Sequence, residues 1–261
     1  MNKKYILCIF VVLITITNSS YASPAYSKLM SKRVTSIPMS ITFKTPSKIG
    51  ANNTAKILDD DNNLNAVGKL DIVKNDGSSD CCTASVIRTD NGNIAMTAAH
   101  CLYDFNTQTW NSEAYFYPGY NNGQEGPVGK VTVKDGYILV EFTENPITYD
   151  FAFIKLDYPD GKKLQDDTGA FDYDLDIPRD NYPVNVFGYP IDGDMDCAKD
   201  GQHLCEYEGL SFDMPPDVPN PQSYRAITID VGQCSSGGPW VRIFNPDTKT
   251  GNVMGVSHVL W

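Results

Sequence analysis

A histidine, an aspartate and a serine stand in three short segments whose residue types suit nucleophilic catalysis. His100 lies in MTAAHC, Asp150 in YDFAFIKL and Ser236 in QCSSGGPW. A serine hydroxyl is a weak nucleophile at neutral pH, so a neighbouring imidazole must take its proton. A buried carboxylate can hold that imidazole in one tautomer and stabilise the imidazolium that forms. We therefore predict that Ser236 is the nucleophile, that His100 is the general base, and that Asp150 orients His100.

The order of these residues along the chain separates two classes of hydrolase. Triads of α/β-hydrolases run serine, acid, histidine, and their serine stands in G-x-S-x-G. Here the order is histidine, aspartate, serine. Cys234 stands two residues before Ser236, and only His258 follows that serine. A lipase-like esterase is therefore disfavoured.

The three segments together resemble the chymotrypsin family of trypsin-like serine proteases, and within it the bacterial glutamyl-endopeptidase branch. The family motifs are TAAHC at 97–101, DFAFIKL at 150–156 and SGGP at 236–239. Segments similar to the branch are CTASVI at 82–87, FYPGY at 116–120, DTGAF at 167–171 and GYP at 188–190. The resemblance extends over residues 64–258. It implies an all-β fold, a double antiparallel β-barrel, and a serine endopeptidase that works through an acyl-enzyme without a metal or organic cofactor.

Two positions beside the nucleophile depart from the family pattern. The family has glycine two residues before the serine, where its N–H group donates to the oxyanion. Here that residue is Cys234, so we expect the N–H groups of Cys234 and Ser236 to form the oxyanion hole. A residue with a Cβ there implies either a strained loop or a disulfide that holds it in place. Ser235 stands where trypsin-like members carry an Asp that pairs with a freed N-terminal amine, so activation by that route is not expected.

The end of the chain is short compared with the family, which usually adds another strand and a terminal helix. We therefore expect the second β-barrel to be C-terminally shortened. That strand normally helps to form the wall of the specificity pocket. An incomplete pocket would favour the alternative of a protease-fold binding protein, inactive or weakly active as an enzyme.

Six of the 7 cysteines lie beyond the N-terminal segment that contains Cys8. An even number of cysteines in an exported protein argues for disulfides. The resemblance implies one pair across the histidine loop, and a second pair is close in sequence. The remaining two cysteines belong to loops that meet at the cleft of such a fold, either as a third disulfide or as two free buried thiols. The expected pairs are Cys82–Cys101, Cys197–Cys205 and Cys81–Cys234. No C-x-x-C spacing occurs and there are only 3 histidines, so a zinc site is not expected.

Two residues are candidates for the specificity pocket, and they point in opposite directions. Asp230 lies at the offset from Ser236 at which trypsin-like members bind arginine or lysine through a carboxylate. The glutamyl-endopeptidase branch also carries an Asp near this offset, and it recognises glutamate partly through a His near the chain end. The segment GVSH, which ends at His258, resembles that feature with one extra residue. We expect acidic or unresolved specificity rather than basic specificity, with purely internal hydrogen bonds for both residues as the alternative.

Short alternating apolar segments separated by Gly, Asn, Asp and Pro form the frame around these residues and predict a β-barrel or sandwich. The expected organisation is a signal peptide at 1–22, a pro-segment or N-terminal extension at 23–63, a first β-barrel at 64–157, an acidic linker at 158–182, and a second β-barrel at 183–261.

The N-terminus and the overall charge indicate where the protein works. Lys3 and Lys4 precede an apolar run that ends before Ser20-Tyr21-Ala22, which is typical of a signal peptide. The run is too short for a permanent anchor, so we expect a secreted or periplasmic product without a membrane partner. The net charge of −11 disfavours binding to nucleic acid. The expected partner is a protein or peptide substrate, and the expected state is a monomer.

Overall fold

The computed structural model describes residues 6–10, 54–58, 64–146, 149–174, 181–214 and 221–259. The predicted signal peptide (1–22) and the predicted pro-segment (23–63) therefore lie outside the described residues, apart from 6–10 and 54–58.

Seventeen regular elements follow one another along the described chain. The first ten are β1 (Ile6–Phe10), β2 (Thr54–Ile57), β3 (Val67–Val73), β4 (Ser79–Val86), β5 (Ile94–Thr97), β6 (Tyr103–Asp104), β7 (Thr109–Trp110), β8 (Glu113–Pro118), β9 (Val131–Ile138) and β10 (Ala152–Leu156). The others are α1 (Leu164–Thr168), β11 (Asp172–Tyr173), β12 (Tyr182–Gly188), β13 (Cys205–Asp213), β14 (Tyr224–Ala226), β15 (Pro239–Asn245) and β16 (Thr250–Val259). Single 3₁₀ turns cover Ala99–Cys101, Val140–Thr143 and Pro221–Ser223.

The first barrel is closed by the strand order β10-β5-β4-β3-β8-β9. Its strands alternate between buried and partly exposed positions, as β3 and β10 illustrate. This alternation places every second side chain inside the barrel. Leu70, Val86, Phe116 and Ile154 lie there, each with none of its surface exposed.

The second barrel follows the order β1-β14-β13-β12-β15-β16, with β2 paired to β13 and β11 paired to β16. β1 also pairs antiparallel with β16, which closes the ring. Trp240, Val184 and Val186 are fully buried inside it. The predicted all-β, double antiparallel barrel is thus confirmed. The strand position between β14 and β16 is taken by residues 6–10, a segment within the predicted signal peptide.

The expected acidic linker contains the one α-helix among the described residues, and this segment contacts both barrels. The N–H group of Leu164 at the start of α1 donates to the Asn93 side chain of the first barrel at 2.6 Å. The N–H group of Asp174 donates to the Val253 carbonyl of β16 at 2.9 Å. The segment therefore ties the two barrels together. None of the described helices is long and apolar enough to span a membrane.

Candidate active site

His100, Asp150 and Ser236 all line one cleft of about 580 Å³. His100 lies in the 3₁₀ turn that follows β5, and Asp150 lies two residues before β10. β5 and β10 are neighbours in the first barrel, so both residues come from the same end of one strand pair. Ser236 lies in the turn before β15 of the second barrel. The cleft is therefore built from both barrels.

His100 and Asp150 make two hydrogen bonds with each other. The Nδ1 atom of His100 lies 2.6 Å from Oδ2 of Asp150. The backbone N–H of His100 donates to Oδ1 at 2.8 Å. The Asp150 side chain is fully buried, whereas 38% of the His100 side chain is exposed. The carboxylate thus holds the inner edge of the ring, and the outer edge is open to the cleft.

The protonation states of this pair follow from their contacts. Burial lowers the pKa of His100, but the charge and the hydrogen bond of Asp150 raise it by more, so the pKa lies above its ordinary value. Burial raises the pKa of Asp150, but the two histidines beside it, His100 and His258, lower it by more. Asp150 is therefore an ionised acceptor, and the His100 nitrogen that faces it carries the proton. The Nε2 atom of a neutral His100 is then the basic one.

The loop that carries Ser236 has an unusual backbone. Cys234 has φ +64° and Gly237 has φ +81°. Positive φ is rare for residues with a Cβ, so the loop is strained at Cys234 and relaxed at Gly237. Any side chain at Gly237 would have its Cβ 2.2 Å from the Thr97 hydroxyl oxygen. The hydroxyl of Ser235, the neighbour of the candidate nucleophile, is fully buried and donates to the Val231 carbonyl at 2.8 Å.

Ser236 itself is nearly buried, with 7% of its surface exposed. Among the described residues, no hydrogen bond joins its hydroxyl to His100, and the two side chains share the cleft without one. Nucleophile–base hydrogen bonds are often long in unliganded proteases and tighten when substrate binds. The arrangement is therefore compatible with proton transfer from Ser236 to His100.

A disulfide and one threonine fasten the Ser236 loop to the first barrel. The Cα atoms of Cys81 and Cys234 are 5.0 Å apart and their sulfurs are bonded. Thr83 donates its hydroxyl to the Cys234 carbonyl and its N–H to the Ser236 carbonyl, both at 2.8 Å. The Thr83 hydroxyl also accepts from the N–H of Tyr189 at 3.2 Å. These bonds fix the position of the loop across the boundary between the barrels.

The hydrogen bonds of Thr83 to the Ser236 loop are not evident from the sequence. Thr83 stands in the segment at 82–87 that resembles the glutamyl-endopeptidase branch, and this was the signal available. A threonine within a strand is ordinarily explained by the preference of this residue for β-strands, without any further role. Its partners lie 106 and 151 residues away in the chain.

Two further disulfides join the other cysteines. Cys82 is bonded to Cys101 and Cys197 to Cys205, each with Cα atoms 6.2 Å apart. The first of these closes the loop between β4 and the His100 turn. The second closes the loop before β13, away from Ser236.

The two candidate specificity residues occupy different environments. His258 lines the cleft, and its Nδ1 atom is hydrogen-bonded to Oδ2 of Asp150, the oxygen that His100 also contacts. Asp230 is not among the described residues that line the cleft. One of its carboxylate oxygens accepts from the N–H of Gly232 at 2.9 Å. The structure therefore brings His258 to the candidate triad and leaves Asp230 in a turn beside it.

The cluster of His100, Asp150 and His258 has the residue types of a metal site but is more tightly spaced. Histidine and carboxylate ligands stand about 2.0–2.2 Å from zinc, so neighbouring tetrahedral ligand atoms are roughly 3.3 Å apart. The facing atoms of His100 and Asp150 are 2.6 Å apart. Hydrogen bonding explains this spacing, and a bound metal does not.

The chain is similar to a known protein family and to several solved structures. The family model described as Trypsin matches residues 61–192. No curated protein matches the chain. Among solved structures, the protease Anisep from Arthrobacter nicotinovorans is 28% identical, with a TM-score of 0.60, and the match covers 69% of this chain and 78% of Anisep.

Two other solved structures are similar at lower identity. The thermostable serine protease AL20 from an extremophilic microorganism is 23% identical, with a TM-score of 0.63, and the match covers 76% of this chain and 91% of AL20. A Glu endopeptidase in complex with MPD is 20% identical, with a TM-score of 0.54, and the match covers 73% of this chain and 80% of that protein. These two likenesses show the fold alone.

Proposed function

The chain belongs to the trypsin family of serine proteases, and on this premise we propose that it is a secreted serine endopeptidase with His100, Asp150 and Ser236 as its catalytic triad. The observation that carries the proposal is the buried, ionised Asp150 bonded to the inner edge of His100 in the cleft that Ser236 also lines. A carboxylate in this position keeps the imidazole in the tautomer that can accept a proton from the serine.

In the proposed first half-reaction, the Ser236 hydroxyl attacks the carbonyl carbon of the scissile peptide bond. His100 takes the hydroxyl proton on Nε2 as the bond forms, and Asp150 stabilises the resulting imidazolium. His100 then gives this proton to the leaving amine, and an acyl-enzyme remains on Ser236. In the second half-reaction water attacks the acyl group with His100 again as the base, which releases the new carboxylate and restores the serine.

The negative charge that develops on the carbonyl oxygen needs hydrogen-bond donors that are already in place. We propose the N–H groups of Cys234 and Ser236 for this role. The positive φ of Cys234 and its disulfide to Cys81 support the proposal, because they give the loop one fixed backbone conformation. The Thr83 hydrogen bonds to the two carbonyl groups of the same residues support it as well.

An acidic preference at the residue before the scissile bond follows from the resemblance to the glutamyl-endopeptidase branch. It is a prediction that a panel of peptides differing only at that residue tests. Asp230, the candidate for basic specificity, uses a carboxylate oxygen for a hydrogen bond within its own turn. Hydrolysis after Arg or Lys that disappears in Asp230→Ser would contradict the acidic preference.

Export to an oxidising compartment, as a monomer, completes the proposal. Three disulfides within 261 residues favour a secreted or periplasmic location. Residues 1–22 would be removed on that route as a signal peptide, and residues 23–63 would be a pro-segment or an extension.

Active-site labelling tests the proposed function directly. A fluorophosphonate should label the wild-type protein at one site, which peptide mass mapping should assign to Ser236. Ser236→Ala should lose the label and nearly all peptidase activity while keeping the fold. The matched control is Ser112→Ala, because Ser112 is an exposed serine that is not among the described residues lining the cleft, and its hydroxyl donates to the Asn75 side chain. Labelling and turnover that persist in Ser236→Ala would refute the assignment, and an unreactive wild type would favour a binding protein.

A further inference from the structure

His258 lines the cleft and bonds the carboxylate of Asp150, although a triad of His100, Asp150 and Ser236 does not require a second histidine. We propose that His258 is a second hydrogen-bond donor to Asp150 and thereby a positioning residue for His100. The inference rests on the proposed function, because it concerns the same triad. The Nδ1 atoms of His258 and His100 both bond Oδ2 of Asp150. The two rings stand edge to face, with centroids 5.9 Å apart.

The chemistry of the carboxylate fixes the tautomer of both rings. An ionised carboxylate accepts hydrogen bonds and donates none. Its contacts hold the pKa of Asp150 below the ordinary value, so both facing nitrogens must carry protons. A neutral His258 is then protonated on Nδ1, with its lone pair on Nε2. One carboxylate oxygen can accept both bonds because it has two lone pairs.

The backbone around His258 links it to the Ser236 loop. The N–H of Ser257 donates to the Gly238 carbonyl at 2.8 Å, and the N–H of Gly237 donates to the Ser257 carbonyl at 2.9 Å. The Ser257 hydroxyl accepts from the Trp240 indole at 3.1 Å. His258 is itself 9% exposed. The His258 side chain therefore connects the nucleophile loop of the second barrel to Asp150 of the first.

This connection has two consequences for His100. The carboxylate of Asp150 is held from both sides, which restricts its rotation and keeps Oδ2 directed at the His100 ring. The second donor also shares the carboxylate charge and so moderates the pull of Asp150 on the His100 proton. The charged groups that act on His100 besides Asp150 are Asp80 and Lys74, which have opposite effects on its pKa.

Loss of the His258 donor should therefore shift the pKa of His100 in a predictable direction. In His258→Leu, Asp150 should pair more strongly with His100 alone, so the pKa of His100 should rise and the acidic limb of the kcat/KM profile should move to higher pH. Poorer orientation of the ring should lower kcat on the order of ten- to a hundredfold, with KM little changed. His258→Asn places an amide N–H near the position of Nδ1. This variant should therefore have an acidic limb and a kcat close to those of the wild type.

A matched control comes from a second His–Asp pair in the same protein. Nδ1 of His203 lies 2.8 Å from Oδ2 of Asp200, in a loop away from the cleft. His203→Leu should leave kcat and the acidic limb unchanged. A role of His258 in specificity would instead give losses confined to acidic substrates. An equal loss across the peptide panel supports positioning, and a selective loss overturns it.

Proton NMR supplies a readout that does not depend on turnover. Imidazole Nδ1 protons bonded to a carboxylate resonate far downfield and exchange slowly when buried. The wild type should show two such signals from the cleft, and His258→Asn should lose one of them. A single signal in the wild type would overturn the inference even if Ser236 proves catalytic. Two signals in a protein without fluorophosphonate reactivity would uphold the hydrogen bonds while the proposed function fails.

Discussion

Cys81 on β4 is bonded to Cys234 in the Ser236 loop, across the boundary between the two barrels. The two cysteines are 153 residues apart in the chain. Cys234 also has φ +64°, a conformation that favours glycine. The disulfide therefore does what a glycine at this position would not do. It covalently holds a strained residue whose N–H we propose as a donor to the oxyanion.

The disulfide between Cys81 and Cys234 should affect both the stability of the fold and the turnover number, and two double variants separate these effects. Cys81→Ser/Cys234→Ser should lose on the order of 2–4 kcal/mol of unfolding free energy, because the cross-link no longer restricts the unfolded chain. It should also lose kcat, because the loop can leave its positive φ. Cys81→Ser/Cys234→Gly should lose a similar unfolding free energy, measured by urea denaturation, but it should keep more of kcat. Equal kcat values for the two double variants would show that backbone strain at residue 234 is irrelevant to turnover.

Gly237 should tolerate no side chain. Its φ is +81°, and a Cβ would lie 2.2 Å from the Thr97 hydroxyl oxygen and 2.4 Å from the Thr83 carbonyl oxygen. Gly237→Ala should therefore displace the loop or destabilise the fold by several kcal/mol. Gly161→Ala is the control, since it shares a positive φ of 76° but has nothing within 4 Å. Denaturant unfolding of both variants, with fluorophosphonate labelling of the folded fraction, measures the difference.

Much of this site could be predicted from the sequence because its chemistry sits in contiguous motifs. The segments around His100 and Ser236 each contain a reactive side chain and the residues that shape its turn. Strand positions also follow from local alternation of buried and exposed residues. The contact of His258 with Asp150 spans 108 residues and depends on how the two barrels pack. A histidine near the chain end therefore suggested a substrate contact, whereas packing directs its Nδ1 at the triad carboxylate.

The pairing of β1 with β14 and β16 could not be predicted from the local sequence pattern either. Residues 6–10 lie in a segment whose composition is typical of a signal peptide, and that composition also suits a buried strand. Register with strands more than 200 residues away is a property of the closed barrel, not of the segment. The contacts of Thr83 could not be predicted from the local sequence for the same reason, because its hydrogen-bond partners belong to the other barrel.

The pH dependence of hydrolysis should reflect the raised pKa of His100. His100 must be neutral to accept the Ser236 proton, so kcat/KM should fall on acidification with a midpoint above the ordinary value of 6.5. Asp150→Asn removes the charge that raises the pKa, so the midpoint should move to lower pH and kcat should drop by about 10⁴. NMR titration of the His100 ring protons measures the midpoint in both proteins. A higher midpoint in Asp150→Asn would contradict the pairing.

The same pKa shift has a consequence for stability. Because folding raises the pKa of His100, its contribution to stability is fully present below the unfolded-state value of about 6.5 and is lost as the pH rises through the folded-state value. The difference in unfolding free energy between wild type and His100→Gln should therefore shrink from pH 6 toward higher pH. Urea titrations at a series of pH values test this, and a difference that grows with pH would have the wrong sign.

Removal of residues 1–22, which the proposed export entails, should leave the second barrel without β1. β1 pairs with Tyr224–Ala226 on one side and with Gly255–Val259 on the other, so its loss leaves two strand edges with unpaired backbone groups. One of those edges carries His258, whose register partner is Leu7. The shortened chain should melt on the order of 5–10 °C lower than the full chain, and any change in kcat should resemble that of His258→Leu.

Adding a separate peptide with the β1 sequence tests whether the lower melting temperature of the shortened chain is due to the loss of this strand. A synthetic peptide of residues 5–11 should raise the melting temperature of the shortened chain, because main-chain pairing supplies the affinity of an added strand. The matched control peptide carries Leu7→Pro and Ile9→Pro, which remove N–H donors from the ladder. If full and shortened chains melt at the same temperature and neither peptide has an effect, residues 6–10 contribute nothing to the barrel. Rescue by the first peptide alone would mean that signal removal and barrel closure compete for the same five residues.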